Sequence, residues 1–179
     1  AAVCAREGAD LFYRPVLLGG IFRAIGAPDQ PRATDAPAKQ AHAAKDLERW
    51  SKKHGMPLHF PDGHPRRTVL ALRAAISAEA VALAKASAAL FRAYWNGGRD
   101  LQDEAVVRSV LDGAGLDGSA LVAAANQEPA KTALRAATDA AVEAGLFGVP
   151  TFIVHGDRGK QLFWGQDRLM FVEKAIRGW

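Results

Sequence analysis

Phe147-Gly148-Val149-Pro150-Thr151-Phe152, with Phe163-Trp164-Gly165-Gln166-Asp167-Arg168 shortly after it, is the stretch on which the reading of this chain turns. A helix-like run ends at Gly145, and an apolar run follows Pro150 and Thr151. A proline at the start of a strand cannot donate a ladder hydrogen bond, and it drives the preceding residue, Val149, into an extended conformation. If the Val149–Pro150 bond is cis, Val149 presents a free N–H and C=O to a groove, where an extended peptide can pair with them. Residues 152–155 then read as a strand, 156–160 as a turn and 161–164 as the antiparallel return strand. Gly165 breaks that strand, and 166–176 read as a closing helix.

Upstream of this hairpin the pattern is helical. Residues 68–95 are rich in Ala and Leu, and Leu72, Ile76, Leu83, Leu90 and Phe91 recur at helical spacing, with a break near Ser77. Gly97-Gly98 is a turn. Asp100 or Asp103 caps the next helix, which runs to about Leu111 and stops at Gly113. A short helix starts at Gly118-Ser119 and runs to about Asn126. A longer one, with Pro129 in its first turn and Leu134, Ala137, Ala141 and Val142 on its apolar side, reaches Ala144.

The first third of the chain is less regular. Residues 1–8 read as the tail of a helix stopped by Gly8. Leu11-Phe12-Tyr13, within 10–15, reads as a short strand bounded by Pro15. Residues 16–37 hold Gly19, Gly20, Gly26, Pro28, Pro31 and Pro37 and read as a long connection, with Phe22, Ile25 and Leu18 docked on the core. Residues 38–54 read as a helix with Leu47 and Trp50 on one face, ended by Gly55 and Pro57. Phe60-Pro61 lies in a short extended link, 58–64.

Composition limits the functions open to such a chain. Its 179 residues, 49% of them hydrophobic and 23% charged, suit one sizeable globular core with an inserted subdomain. No apolar run is long enough to span a membrane, and no signal-peptide pattern opens the chain. The formal charge of +4 fits an anionic small substrate or simply a basic surface. Lys and Arg are scattered without interleaved aromatics, which argues against nucleic acid. The single cysteine, Cys4, reads as a buried structural thiol. It excludes dithiol redox chemistry and a disulfide framework, and fits a cytoplasmic location. His54 and His59 lack metal-ligand partners, so no zinc site is expected.

Gly148-Val149-Pro150-Thr151-Phe152 resembles the cis-proline loop of disulfide-oxidoreductase-type thioredoxin folds. Further pieces match in order along the chain: Tyr13-Arg14-Pro15-Val16-Leu17-Leu18-Gly19-Gly20 with Phe22, Asp46-Leu47-Glu48-Arg49-Trp50, Phe60-Pro61, Ala71-Leu72-Arg73 and Gly165-Gln166-Asp167-Arg168-Leu169. Through them the whole chain resembles the 2-hydroxychromene-2-carboxylate isomerase family, relatives of the kappa-class glutathione transferases. The resemblance implies an α/β thioredoxin-like fold of the DsbA and kappa-transferase type. Residues 1–65 and 145–179 would form the thioredoxin-like domain and 66–144 an all-helical insertion. The family's first strand and its catalytic serine are not in the sequence, so no catalytic residue is assigned. Their absence implies a truncated chain whose strands at Leu11 and Thr151 would face each other unpaired.

The resemblance also implies glutathione as cofactor, a small aromatic carboxylate as substrate and a homodimer. Its reaction would interconvert 2-hydroxychromene-2-carboxylate and a benzylidenepyruvate during naphthalene-type catabolism. Val149 and Pro150 would pair with the glutathione backbone. Gln166 would contact a carboxylate and Asp167 the γ-glutamyl ammonium at the positive end of the last helix, although Asp167 also reads as a plain helix cap. Arg23, Arg66 and Arg67 would face the substrate carboxylate. Arg23 and Ala27 stand where the family commonly has Lys and Asn; Lys39 matches a basic position of the family or is a solvated helix lysine, and His42 stands where many relatives carry Tyr. From the residues alone, Arg66 and Arg67 read first as first-turn helix surface, Arg168 as a structural ion pair, and Phe163 and Trp164 as core. A kappa-type transferase and a non-catalytic thioredoxin-fold remnant are the alternatives.

Overall fold

A computed structural model describes residues 1–28 and 35–179. Pro31, assigned to the connection before the long helix, lies outside the described residues. The elements run α1 (Ala2–Glu7), α2 (Leu18–Ala24), α3 (Pro37–His54), α4 (Val69–Ile76), α5 (Ala80–Trp95), α6 (Glu104–Gly113), α7 (Gly118–Ala125), α8 (Glu128–Glu143), β1 (Thr151–Gly156), β2 (Gly159–Trp164) and α9 (Leu169–Ile176). A 3-10 turn, Gln166–Arg168, leads into α9. The architecture is mostly helical, with one small two-stranded antiparallel sheet among the described residues.

Local signals set most helix ends. Gly8 and Gly55 close α1 and α3 in the left-handed conformation, where glycine has no Cβ to clash. Asp103 caps α6 by accepting from the N–H of Ala105 and Val106, and Asp117 caps α7 by accepting from Ala120. Pro129 sits in the first turn of α8, where its missing N–H costs nothing.

The largest apolar cluster joins α4 to α7. Leu83, Ala86, Leu90 and Tyr94 from α5 meet Val107, Val110 and Leu111 from α6 and Val122 and Ala125 from α7. Val107 and Leu111 are fully buried, and side chains of that kind each stabilise by about 1.5–3 kcal/mol. Phe91 lies off this stripe and is exposed, contrary to the periodicity reading, because the buried positions of α5 run 83, 86, 90, 94.

A second cluster gathers Ile21, Ala141 and Leu146 with Ile153 and Leu162, and a third joins Val154 of β1 to Val172 and Ala175 of α9. Helix α8 therefore faces α4 along part of its length and the sheet cluster at its C-terminal end.

Several sequence expectations need correction. Leu11-Phe12-Tyr13 is not a strand: β1 pairs only with β2 among the described residues, so this segment has no ladder partner, and Phe12 is 68% exposed. Residues 18–24 are not loop but α2. Its Gly19-Gly20 is no break, because Gly20 lets the helix lie against α8; a Cβ there would sit 2.9 Å from Thr138 Cγ2. Ile21, not Ile25, is the buried anchor of that segment. Cys4 is half-buried rather than part of a core. The hairpin turn is also shorter than expected, with Gly156 paired to Gly159 and Asp157-Arg158 between them.

Candidate active site around the Val149–Pro150 edge

The hairpin register places the two key stretches side by side. Thr151 pairs with Trp164, and just beyond the ladder the N–H of Gly165 donates to the carbonyl of Pro150 at 2.9 Å. The Val149–Pro150 bond is cis. Val149 is 42% exposed, and its main-chain N–H and C=O have no partner among the described residues. Thr151 Oγ1 donates to the carbonyl of Gly148 at 2.7 Å and closes the loop from the other side. One open peptide edge thus lies beside the turn that starts the last helix.

Gln166 and Asp167 are exposed on that turn. Gly165 reaches φ 102° there, and a Cβ on it would come within 2.5 Å of Asp167 Oδ1. Asp167 makes no capping hydrogen bond to the turn or to α9; its carboxylate pairs with Arg168 instead. Asp167 thus stands in the first turn as an acidic residue without a capping hydrogen bond, and Arg168 is the ion-pair residue expected. The first N–H groups of this turn have no side-chain cap.

The arginines are placed differently. Arg66 is tethered: its Nε donates to the Asp62 carbonyl at 2.6 Å, its Nη1 pairs with Asp100 at 3.3 Å, and its backbone N–H donates to Tyr94 Oη at 3.1 Å. Arg67 is exposed, and Arg23 is exposed in the last turn of α2. No hydrogen bond or ion pair links the three to the Val149–Pro150 edge among the described residues. A cavity of about 260 Å³ lies apart from this edge, lined by Ala44, Leu47, Glu48, Ser51, Leu58 and Phe60.

Two features escaped sequence reasoning. Trp164 is not core: it is 52% exposed, and its ring lies 5.0 Å from that of Phe147, itself 46% exposed. The only signal was Gly148 between Phe147 and Val149. A second cis bond, His64–Pro65, lies at the foot of α5's last turn. There His64 Nδ1 meets Tyr94 Oη at 2.8 Å and the ring packs near Phe60 and Trp95. Partial burial holds the His64 imidazole below its ordinary pKa.

Among the described residues no group of three or more His, Cys, Asp or Glu could hold a metal ion, and no helix is long and apolar enough to cross a membrane.

A cis-proline hairpin packed on a closing helix, with a helical block before it, defines the DSBA-like thioredoxin domain, and the family model of that description matches residues 1–177. The chain belongs to this family and, within it, to the 2-hydroxychromene-2-carboxylate isomerase group. The 2-hydroxychromene-2-carboxylate isomerase of Pseudomonas putida is 31% identical over 169 residues, spanning 94% of this chain and 80% of that protein. The enzyme of the same name from Sphingobium xenophagum is 30% identical over 175 residues, spanning 96% and 85%. Glutathione S-transferase kappa 1 of Rattus norvegicus is 30% identical over 170 residues, spanning 89% and 74%. A solved structure of 2-hydroxychromene-2-carboxylate isomerase superposes with a TM-score of 0.82 at 28% identity, covering 97% of this chain and 83% of that one.

Proposed function

We propose that the chain is a glutathione-dependent isomerase. It interconverts 2-hydroxychromene-2-carboxylate and a trans-o-hydroxybenzylidenepyruvate in the breakdown of naphthalene-type aromatics. The observation that carries this reading is the exposed Val149, whose main chain has no partner among the described residues, joined through the Gly165–Pro150 hydrogen bond to the turn bearing Asp167. Relatives of both kinds, isomerases and a glutathione transferase, support it.

The residues fit a short peptide with charged ends. Val149 offers one N–H and one C=O to an extended backbone, as in strand addition. Gln166 and the uncapped N–H groups of its turn suit a carboxylate, and Asp167 suits an ammonium, sharing its charge with Arg168. Glutathione, when bound, supplies a thiol able to add reversibly to a conjugated system, which permits bond rotation. The chain's own part is to orient the tripeptide and hold the aromatic carboxylate, for which Arg23, Arg66 and Arg67 are the proposed cations. Arg67 and Arg23 are the better candidates, since Arg66 already serves Asp62 and Asp100. Residues 66–144 are read as the insertion that shapes the substrate side, Cys4 as compatible with the cytoplasm, and the assembly as a homodimer.

A kappa-type glutathione transferase is the second reading, favoured by the 30% identity to the rat enzyme. Purified chain is incubated with glutathione and 2-hydroxychromene-2-carboxylate, and the absorbance of the open-chain product is followed. Glutathione-dependent conversion supports the isomerase. Conjugation of a chlorinated aromatic electrophile without isomerisation supports the transferase. Calorimetric binding of glutathione with neither activity leaves a ligand-binding domain, and absence of binding rejects the site.

A further inference from the structure

Trp164 stands at the mouth of the Val149–Pro150 edge and no role in that site has been given to it. A Cβ at residue 148 would lie 2.6 Å from Trp164 Nε1 and 3.2 Å from Cε2, so the indole can rest there only because residue 148 is glycine. Phe147 backs it, with ring planes 58° apart and centroids 5.0 Å apart. Phe147, Val149, Pro150 and Trp164 are all exposed, a contiguous apolar surface next to the open main chain. Isolated exposed apolar residues need no explanation, but a fixed patch of four beside a polar edge does.

We propose that the Trp164–Phe147 corner is the subsite for the planar ring of an aromatic carboxylate, with Trp164 the specificity-determining residue. The inference rests on the isomerase reading for the identity of the reactant, but not for the existence of the subsite. Two tilted rings form a corner that a third flat ring enters by offset or edge contact, the geometry aromatic rings prefer. The neighbouring edge would hold the thiol-bearing peptide, so the ring would be retained within reach of it. Because the indole is set by Gly148, the corner is formed before a ligand arrives and loses little freedom on binding.

The test uses 2-naphthoate as probe and calorimetry on the intact chain, with glutathione titrated separately. Wild type is expected to bind naphthoate saturably, and Trp164→Phe to keep its affinity within about threefold. Trp164→Leu, which keeps apolar bulk without the ring, is expected to lose about tenfold. Gly148→Ala reaches the same end by pushing the indole away, with an unchanged circular-dichroism spectrum. Glutathione affinity should be unaltered in Trp164→Phe and Trp164→Leu. Unchanged naphthoate affinity in Trp164→Leu, or no saturable binding to wild type, overturns the proposal. Ring binding that depends on Trp164, without any turnover of the chromene, would sink the isomerase reading and leave the subsite standing.

Discussion

Gly165 donates its backbone N–H to the carbonyl of Pro150 at 2.9 Å, and this bond holds the start of the last helix against the open peptide edge. Gly165 lies at φ 102°, where an L side chain is strained. Gly165→Ala should lower stability by about 1–3 kcal/mol in urea melts. It should also weaken glutathione binding, since the new Cβ displaces Asp167.

Asp167→Ala separates the second effect from the first. The carboxylate is exposed and caps nothing, so melting should be unchanged. Hydrogen bonds to charged groups contribute about 1.5–3 kcal/mol, so glutathione affinity should fall roughly ten- to a hundredfold by calorimetry. Unaltered affinity removes Asp167 from the site.

Thr138 is the buried polar residue that joins α2 to α8. Its Oγ1 accepts from the N–H of Leu17 at 3.0 Å and donates to the carbonyl of Leu134 at 2.7 Å. Thr138→Val keeps the shape and leaves Leu17 unpaired, at a cost of about 1–3 kcal/mol. Gly20→Ala should also destabilise, because its Cβ would meet Thr138 Cγ2 at 2.9 Å. Denaturant unfolding of both variants checks this, and a Gly20→Ala protein as stable as wild type would show that α2 does not pack so closely.

Tyr94 Oη accepts from the N–H of Arg66 and shares a hydrogen bond of 2.8 Å with His64 Nδ1. Burial depresses the imidazole pKa below 6.5, so the folded state binds this proton less readily than the unfolded chain. This contribution is complete above pH 6.5 and is lost as pH falls through the folded-state pKa. His64→Asn should flatten that part of the stability curve, and proton-titration NMR should place the His64 transition below its ordinary value. Tyr94→Phe should cost about 1–3 kcal/mol at neutral pH by stranding the Arg66 N–H.

Glu7 accepts from Arg177 through both carboxylate oxygens, at 2.7 Å each, and ties α1 to the C-terminal end of α9. These bonds, with help from Arg6, lower its pKa from 4.5 to about 2. The stabilisation is present above pH 4.5 and disappears as pH falls towards 2. The groups lie near the surface, so salt should shrink the effect. Glu7→Gln should reduce the acid sensitivity of melting between those limits at low salt, and an identical pH profile would count against the bridge.

The helical block was legible because its signals are local. Asp103 and Pro129 act within a few residues of themselves. The edge at Val149 was legible for the same reason, since proline acts on its immediate neighbour. Helix α2 was not, because Gly19-Gly20 reads as a break until Thr138, far along the chain, is seen to lie against it. Leu11-Phe12-Tyr13 has the composition of a strand, but a strand also needs a pairing partner. Trp164 reads as core in the sequence, and its exposure follows from where Phe147 and Gly148 bring the chain.

Helix α8 fixes Leu17 through Thr138 at one level and delivers Phe147 to the peptide edge just past its end. The stretch from Thr138 to Glu143 at the end of the helix acts as a spacer of roughly 7.5 Å. Adding one residue between Thr138 and Glu143 would turn everything beyond by about 100° and swing Phe147 and the Val149 edge to another side of the helix. Length variation in this rod is therefore ruled out by geometry, whereas the exposed turn at Asp157-Arg158 is free to grow or shrink.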